Sequence, residues 1–82
     1  MSIRVLYFAS LKEAMGKAEE EVELPLGIST AGALRDWLIA DGRTALASAK
    51  NLRMAVNQDM ARLDDVVKAG DEIAFFPPVT GG

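Results

Sequence analysis

The C-terminal stretch of the sequence, residues 72–82, reads Glu72-Ile73-Ala74-Phe75-Phe76-Pro77-Pro78-Val79-Thr80-Gly81-Gly82. Its first five residues are mostly apolar and aromatic, which predicts a β-strand. Pro77 and Pro78 end this strand, because proline lacks the N–H that a ladder needs and favours an extended conformation. We therefore expect a folded body, residues 1–76, from which a short extended arm, residues 77–82, projects.

The arm ends in Gly81-Gly82. Because glycine has no Cβ, the carboxylate of Gly82 can enter a channel too narrow for a side chain, and its carbon is open to attack. Six extended residues reach roughly 20 Å at about 3.3 Å each. The arm could therefore place this carboxylate inside the active site of another protein while the body stays at the surface.

Composition excludes several classes of function. The 82 residues suffice for one domain, and a half-hydrophobic, 26% charged chain is typical of a globular protein. A net charge of −3 with scattered basic residues argues against a nucleic-acid partner. The chain has no cysteine and no histidine, so thiolate nucleophiles, imidazole bases and the usual zinc ligands are missing. We predict no metal site, and the Gly82 carboxylate is the best remaining group for covalent chemistry.

The sequence contains no apolar run of the 18 or so residues that a membrane span needs. Its start, Met1-Ser2-Ile3-Arg4, lacks the pattern of a signal peptide. We expect a cytoplasmic protein without a membrane partner.

The first half of the chain predicts two strands and a helix. Residues 3–9 form an apolar strand with Ile3, Val5 and Tyr7 on one face and Leu6 and Phe8 on the other. Residues 11–15 predict a short helical turn that Gly16 closes. Residues 19–24 alternate Glu with Val22 and Leu24, which predicts a half-buried strand whose glutamates, residues 19–23, are solvated.

The main helix is predicted after Ser29 or Thr30, either of which is a good N-cap. Its core stripe is Ala31, Leu34, Trp37 and Leu38, and Asp41-Gly42 is a stop signal. The phase of Trp37 with Leu34 and Leu38 favours core packing over ligand stacking. Residues 44–49 predict a second helical turn.

A hairpin follows, with strands over 53–56 and 59–62 around a turn at Asn57-Gln58. The apolar first and last strands favour central positions side by side, with the helix across one face. The predicted fold is α+β, a β-grasp with a mixed sheet of about five strands, one main helix and the C-terminal arm beyond a central strand.

Three segments closely resemble the small subunits of molybdopterin synthase, a family of ubiquitin-like sulfur carriers. They are Val5-Leu6-Tyr7-Phe8-Ala9, Ala55-Val56-Asn57-Gln58 and the terminal block Ala74-Phe75-Phe76-Pro77-Pro78-Val79-Thr80-Gly81-Gly82. The resemblance covers the whole chain, including its length and element order, except that residues 44–49 are hard to relate to the family. A terminal diglycine alone is a weak signal, whereas the nine-residue block is far more specific.

This resemblance implies a covalent cycle at Gly82. In the family, an adenylyltransferase that resembles ubiquitin-activating enzymes uses ATP to adenylate the last glycine, and a sulfur donor system converts the acyl-adenylate to a thiocarboxylate. The large subunit receives the tail, here Pro78, Val79, Thr80 and Gly81 with Gly82. The sulfur then enters cyclic pyranopterin monophosphate to build the molybdopterin dithiolene.

The resemblance also implies a non-catalytic subunit in a complex of two small and two large subunits, with the catalytic residues on the large ones. No cofactor would be bound permanently. Both the activating enzyme and the large subunit would dock on an apolar patch at Phe8, Met60 and Phe76. The alternative is that all three are core or scattered surface side chains without a function, and the docking interpretation is favoured most for Phe76, which adjoins the tail. Arg4, Arg53 and Arg62 could pair with acidic partner residues at an interface rim, but solvated positions or weak surface pairs are favoured.

Two other classes of function stay open. The same tail chemistry would serve a carrier for the thiamine thiazole, for tRNA thiolation or for attachment to lysines of other proteins. A β-grasp interaction module with an incidental diglycine is the third class. A residue added after Gly82 separates the classes, because a carrier loses its activity and a binding module does not.

Overall fold

The computed structural model describes residues 1–49 and 51–78. The predicted tail residues Val79, Thr80, Gly81 and Gly82 lie outside the described residues, so the division into body and arm stays a prediction. The elements are β1 (Ser2–Tyr7), α1 (Ser10–Met15), β2 (Glu19–Glu23), α2 (Ala31–Ala40), α3 (Ala45–Ser48), β3 (Arg53–Val56), β4 (Asp59–Ala61) and β5 (Glu72–Phe76). None of the helices in this part of the chain has the length and apolar character to cross a bilayer.

The five strands form one sheet in the order β2-β1-β5-β3-β4. β1 and β5 are parallel neighbours inside the sheet, and the other three pairs are antiparallel. This mixed sheet confirms the predicted β-grasp fold. The first strand ends at Tyr7 rather than at Ala9, because the chain turns at Ala9 (φ 53°) and enters α1.

The core lies between one face of the sheet and α2. Ile3, Val5 and Tyr7 alternate along β1, Ile73 and Phe75 do so along β5, and the stripe of α2 closes over them. Each large apolar side chain buried here contributes about 1.5–3 kcal/mol. The ring centroids of Tyr7 and Phe75 lie 6.3 Å apart in a stacked arrangement. Trp37 is half-buried and packs against this core, as predicted.

Local signals explain the ends of these elements. The Ala33 N–H donates to Thr30 Oγ1 at 3.2 Å, which makes Thr30 the N-cap of α2, and Asp41 is its C-cap. The hairpin turn places Asn57 and Gln58 at φ 52° and 73°, the left-handed pair that a two-residue hairpin loop requires. Asn57 also binds the start of β5 and the residue before it, since its Nδ2 donates to Asp71 Oδ1 at 3.1 Å and its Oδ1 accepts from the Glu72 N–H at 3.0 Å.

Asp71 is a buried carboxylate at the entrance to β5. Burial opposes its ionisation, but hydrogen bonds from Asn57 and from the Lys68 N–H outweigh that effect and hold the pKa of Asp71 below its ordinary value. The side chain therefore fastens the hairpin turn to the start of the last strand.

The prediction that residues 19–23 are solvated is wrong for Glu20. Its carboxylate accepts a hydrogen bond from the Tyr7 hydroxyl and two from Arg43, at 2.9 Å from Nε and 3.1 Å from Nη2. Arg43 also donates to Asp41 at 2.8 Å. Glu20 points to the core side because it is two residues from Val22, and Arg43 reaches it from the loop after α2.

These contacts change the ionisation of the cluster formed by Tyr7, Glu20 and Arg43. Hydrogen bonds from Arg43 lower the pKa of Glu20 from 4.5 to about 2, against the effect of burial. Burial and the bond to Glu20 raise the pKa of Tyr7, and the bond to Glu20 raises that of Arg43. The cluster joins β1, β2 and the end of α2 by charge-assisted bonds.

Acid should weaken the protein through Glu20. Its folded pKa lies below the unfolded value, so its contribution is complete above about pH 4.5 and is lost as the pH falls toward 2. We expect Glu20→Gln to lower the free energy of unfolding at pH 7 by about 1–3 kcal/mol and to flatten its decline over that window. Urea unfolding at pH 7, 4 and 2.5 measures both effects, with exposed Glu21→Gln as control. An unchanged acid slope in Glu20→Gln would contradict this assignment.

Candidate functional site

The face of the sheet opposite the core is the candidate site, and we call it the open face. The strand registers align Leu6, Ala74, Ala55 and Met60 in one row across four strands. Ala55 and Ala74 are buried although neither belongs to the core cluster. Because alanine side chains are short, the row forms a flat apolar surface with Met60 at one end.

The three residues predicted to dock partners lie on or beside this face. Phe76 is the last residue of β5 and pairs with Arg53 in register. Phe8 follows β1, and its N–H donates to the Phe75 carbonyl at 3.2 Å, which sets it beside Phe76. Phe8 is 47% exposed and Met60 61% exposed. The structure thus puts two aromatics at the end of the sheet from which the arm leaves and Met60 two strands away.

Pro77 and Pro78 come directly after β5 and are half-buried. Pro78 is the last described residue of the predicted tail. Since β5 has paired neighbours on both sides, the chain leaves the sheet from its middle. The arm therefore starts next to Phe8 and Phe76.

A strained turn holds Phe8. Ala9 has φ 53° and ψ −130°, and the Leu11 N–H donates to the Phe8 carbonyl at 3.1 Å. These values match the second position of a type II′ turn, where glycine is strongly favoured. The sequence did not reveal this residue, because alanine is a helix former and carries no turn signal.

We expect Ala9→Gly to stabilise the protein by about 1 kcal/mol, because glycine adopts a positive φ without strain. Thermal unfolding measures the change. Ala14→Gly, at an exposed position within α1, is the matched control and should destabilise by about 0.5–1 kcal/mol. A loss of stability in both variants would show that Ala9 is not strained.

Within residues 1–49 and 51–78, no group of three or more acidic side chains is placed to hold a metal ion. The side chains with shifted pKa values join secondary-structure elements: Tyr7, Glu20 and Arg43 are bonded to one another, and Asp71 is bonded to Asn57 and to the Lys68 N–H. The open face is suited to binding a protein surface.

Fold and site together define a class: a ubiquitin-like β-grasp protein that offers an apolar sheet face beside the start of a diglycine arm. Residues 5–82 match the model of the ThiS family. The chain therefore belongs to the ThiS family.

Relatives with known names match along almost their whole length. A protein from Haemophilus influenzae is 45% identical over 82 residues, with 98% of this chain and 99% of the relative covered. Those from Escherichia coli and Homo sapiens are 43% and 38% identical and cover 98% of this chain, which spans 99% and 93% of them. All three are named molybdopterin synthase sulfur carrier subunit.

Solved structures share the fold. The small archaeal modifier protein SAMP1 from Haloferax volcanii superposes with a TM-score of 0.80 at 32% identity, with both chains fully covered. A chain in the complex of subunits 1 and 2 of molybdopterin-converting factor from Helicobacter pylori has a TM-score of 0.66 at 23% identity, again with full coverage.

Proposed function

We propose that this protein is the sulfur carrier subunit of a molybdopterin synthase. The end-to-end match to relatives of that name carries the proposal. Two features of the described residues support it: β5 starts the arm from the middle of the sheet, and an apolar face lies beside that point.

The chemistry takes place at Gly82. Its carboxylate oxygen attacks the α-phosphate of ATP and pyrophosphate leaves, which turns a poor electrophile into an acyl-adenylate. Sulfur supplied by the donor system at the oxidation level of sulfide then attacks the acyl carbon, displaces AMP and leaves the thiocarboxylate. When the thiocarboxylate gives its sulfur to cyclic pyranopterin monophosphate, water hydrolyses the acyl–sulfur bond, so the acyl group ends as a carboxylate again. A dithiolene contains two sulfurs, so each molybdopterin requires two thiocarboxylated carriers.

The body acts as a docking module for successive partners. The activating enzyme and the large subunit both need the Gly82 end of the arm in their active sites. Both can bind the same open face. The Helicobacter pylori complex pairs a chain of this fold with a second subunit. The large subunit is accordingly the first partner of the proposal, and the synthase assembles from two subunits of each kind.

Intact mass spectrometry tests the chemistry. After incubation with the activating enzyme, ATP and a sulfur source, the protein should gain about 16 Da, the difference between one sulfur and one oxygen. A variant with one alanine appended after Gly82 should gain nothing, because the activated carboxylate is displaced by a residue with a Cβ. An unmodified native protein, beside a known carrier that is charged by the same enzymes, would refute the proposal.

Attachment to other proteins is a second candidate, supported by the likeness to the modifier SAMP1. The acyl-adenylate would then pass to a lysine amine with loss of AMP, and the product would be an isopeptide. Denaturing purification of a tagged chain from its own cells separates the two functions. Ladders of larger covalent products, absent when Gly82 is deleted, would favour the modifier.

Docking through the open face predicts a local effect of Met60→Ser. We expect at least tenfold weaker binding to the large subunit, because exposed apolar anchors at an interface contribute about 2 kcal/mol or more. Leu26→Ser is the matched control, since Leu26 is fully exposed in the loop after β2. Titration calorimetry measures both affinities. Equal affinities for Met60→Ser and the native protein would exclude Met60 from the interface.

A further inference from the structure

A small notch lies beside the open face, at the end of the β3–β4 hairpin away from its turn. Its volume is about 220 Å³, and its lining includes Arg35, Arg53, Arg62, Met60 and Leu63. We call it the arginine notch. Among the described residues that line it, three are arginines and none is acidic. The notch adjoins the start of the arm, because Arg53 pairs in register with Phe76.

Two of the three guanidinium groups are available to a partner. Arg35 is bound to Asp36 at 3.1 Å. Arg53 and Arg62 are exposed, and neither takes part in an ion pair between residues that the structure describes. The Asp65 carboxylate lies near Arg62 but accepts a hydrogen bond from its backbone N–H at 2.9 Å. The side chains of Arg53 and Arg62 therefore keep their donors for an incoming acceptor.

The outermost charges of the open face differ in sign between its two edges. At the β2 edge, Glu19 and Glu21 are exposed and alternate with the buried Val22, so they belong to the open face. At the β3–β4 end, the notch brings arginines together in a chain whose net charge is −3. The apolar row that ends at Met60 lies between the two charged regions.

We propose that the arginine notch binds carboxylate side chains of the large subunit that receives the arm, and that this contact sets the orientation of the docked body. The proposal rests on the proposed function. Guanidinium groups match carboxylates in bidentate geometry. Because Met60 and Leu63 line the same notch, an acidic segment that enters it also covers apolar surface. An apolar row alone permits rotation, whereas charges of opposite sign at its two edges favour one orientation.

Single charge reversals test the proposal. Arg53→Glu and Arg62→Glu should each weaken binding to the purified large subunit by about tenfold at 50 mM NaCl. Lys12→Glu is the control, since Lys12 is exposed in α1, outside both the open face and the notch, and its reversal changes the net charge equally. It should weaken binding by less than about twofold. Raising NaCl to 300 mM should weaken the native complex more than the two notch variants.

The outcomes are distinct once circular dichroism shows that all variants are folded. Native binding with equal losses in all three reversals, or with none, would overturn the notch and leave the proposed function standing. No binding by the native protein would overturn both. The other possible occupant of the notch is a second copy of this chain. Sedimentation of the native protein and of Arg53→Glu tests for that self-association. Self-association that Arg53→Glu abolishes, with unchanged binding to the large subunit, would also overturn the proposal.

Discussion

The parallel pairing of β1 with β5 is the constraint on which both the core and the candidate site depend. It aligns Tyr7 with Phe75 on the core side and Leu6 with Ala74 on the open face. The hydrogen bond from the Phe8 N–H to the Phe75 carbonyl extends the pairing by one step. The last strand thereby becomes an interior strand, and the arm leaves beside two aromatic side chains. A last strand at the sheet edge would separate the arm from the apolar row.

The two faces of the sheet have different roles: the core side stabilises the fold, and the open face is the proposed docking surface. On the core side, side chains are buried against α2, and the polar groups there are bonded, as in the cluster around Glu20. On the open face, Phe8 and Met60 are exposed although large apolar side chains stabilise most when buried. The strained Ala9 holds Phe8 at a cost in stability. The exposed side chains and the strained turn both lower the stability of the isolated protein, and both present apolar side chains to a partner.

Most of the fold could be predicted because its signals are local. Pro77 after an apolar run, Asn57-Gln58 between strands and Thr30 before a helical stripe each act within a few residues. The roles of Glu20 and Ala9 could not be predicted. Glu20 meets Arg43 across 23 positions of sequence, and its neighbours in an acidic run are exposed. Ala9 lacks the glycine that marks its turn. The row of Ala55 and Ala74 was equally hidden, since it exists only once the strand registers are set.

In the proposed complex, the length of the predicted arm requires docking to fix an angle as well as a position. The predicted extended arm of six residues would reach about 20 Å, so a tilt of about 10° in the body would displace its end by about 3.5 Å. A misplacement of about 1 Å at reacting atoms can cost about a hundredfold in rate. Apolar contact along one row resists separation but tolerates rotation. Charges at both edges of the open face lie far from the centre of the row and therefore oppose that rotation effectively. Fixing the orientation of the body is thus the physical reason for a docking surface with opposite charges at its two edges.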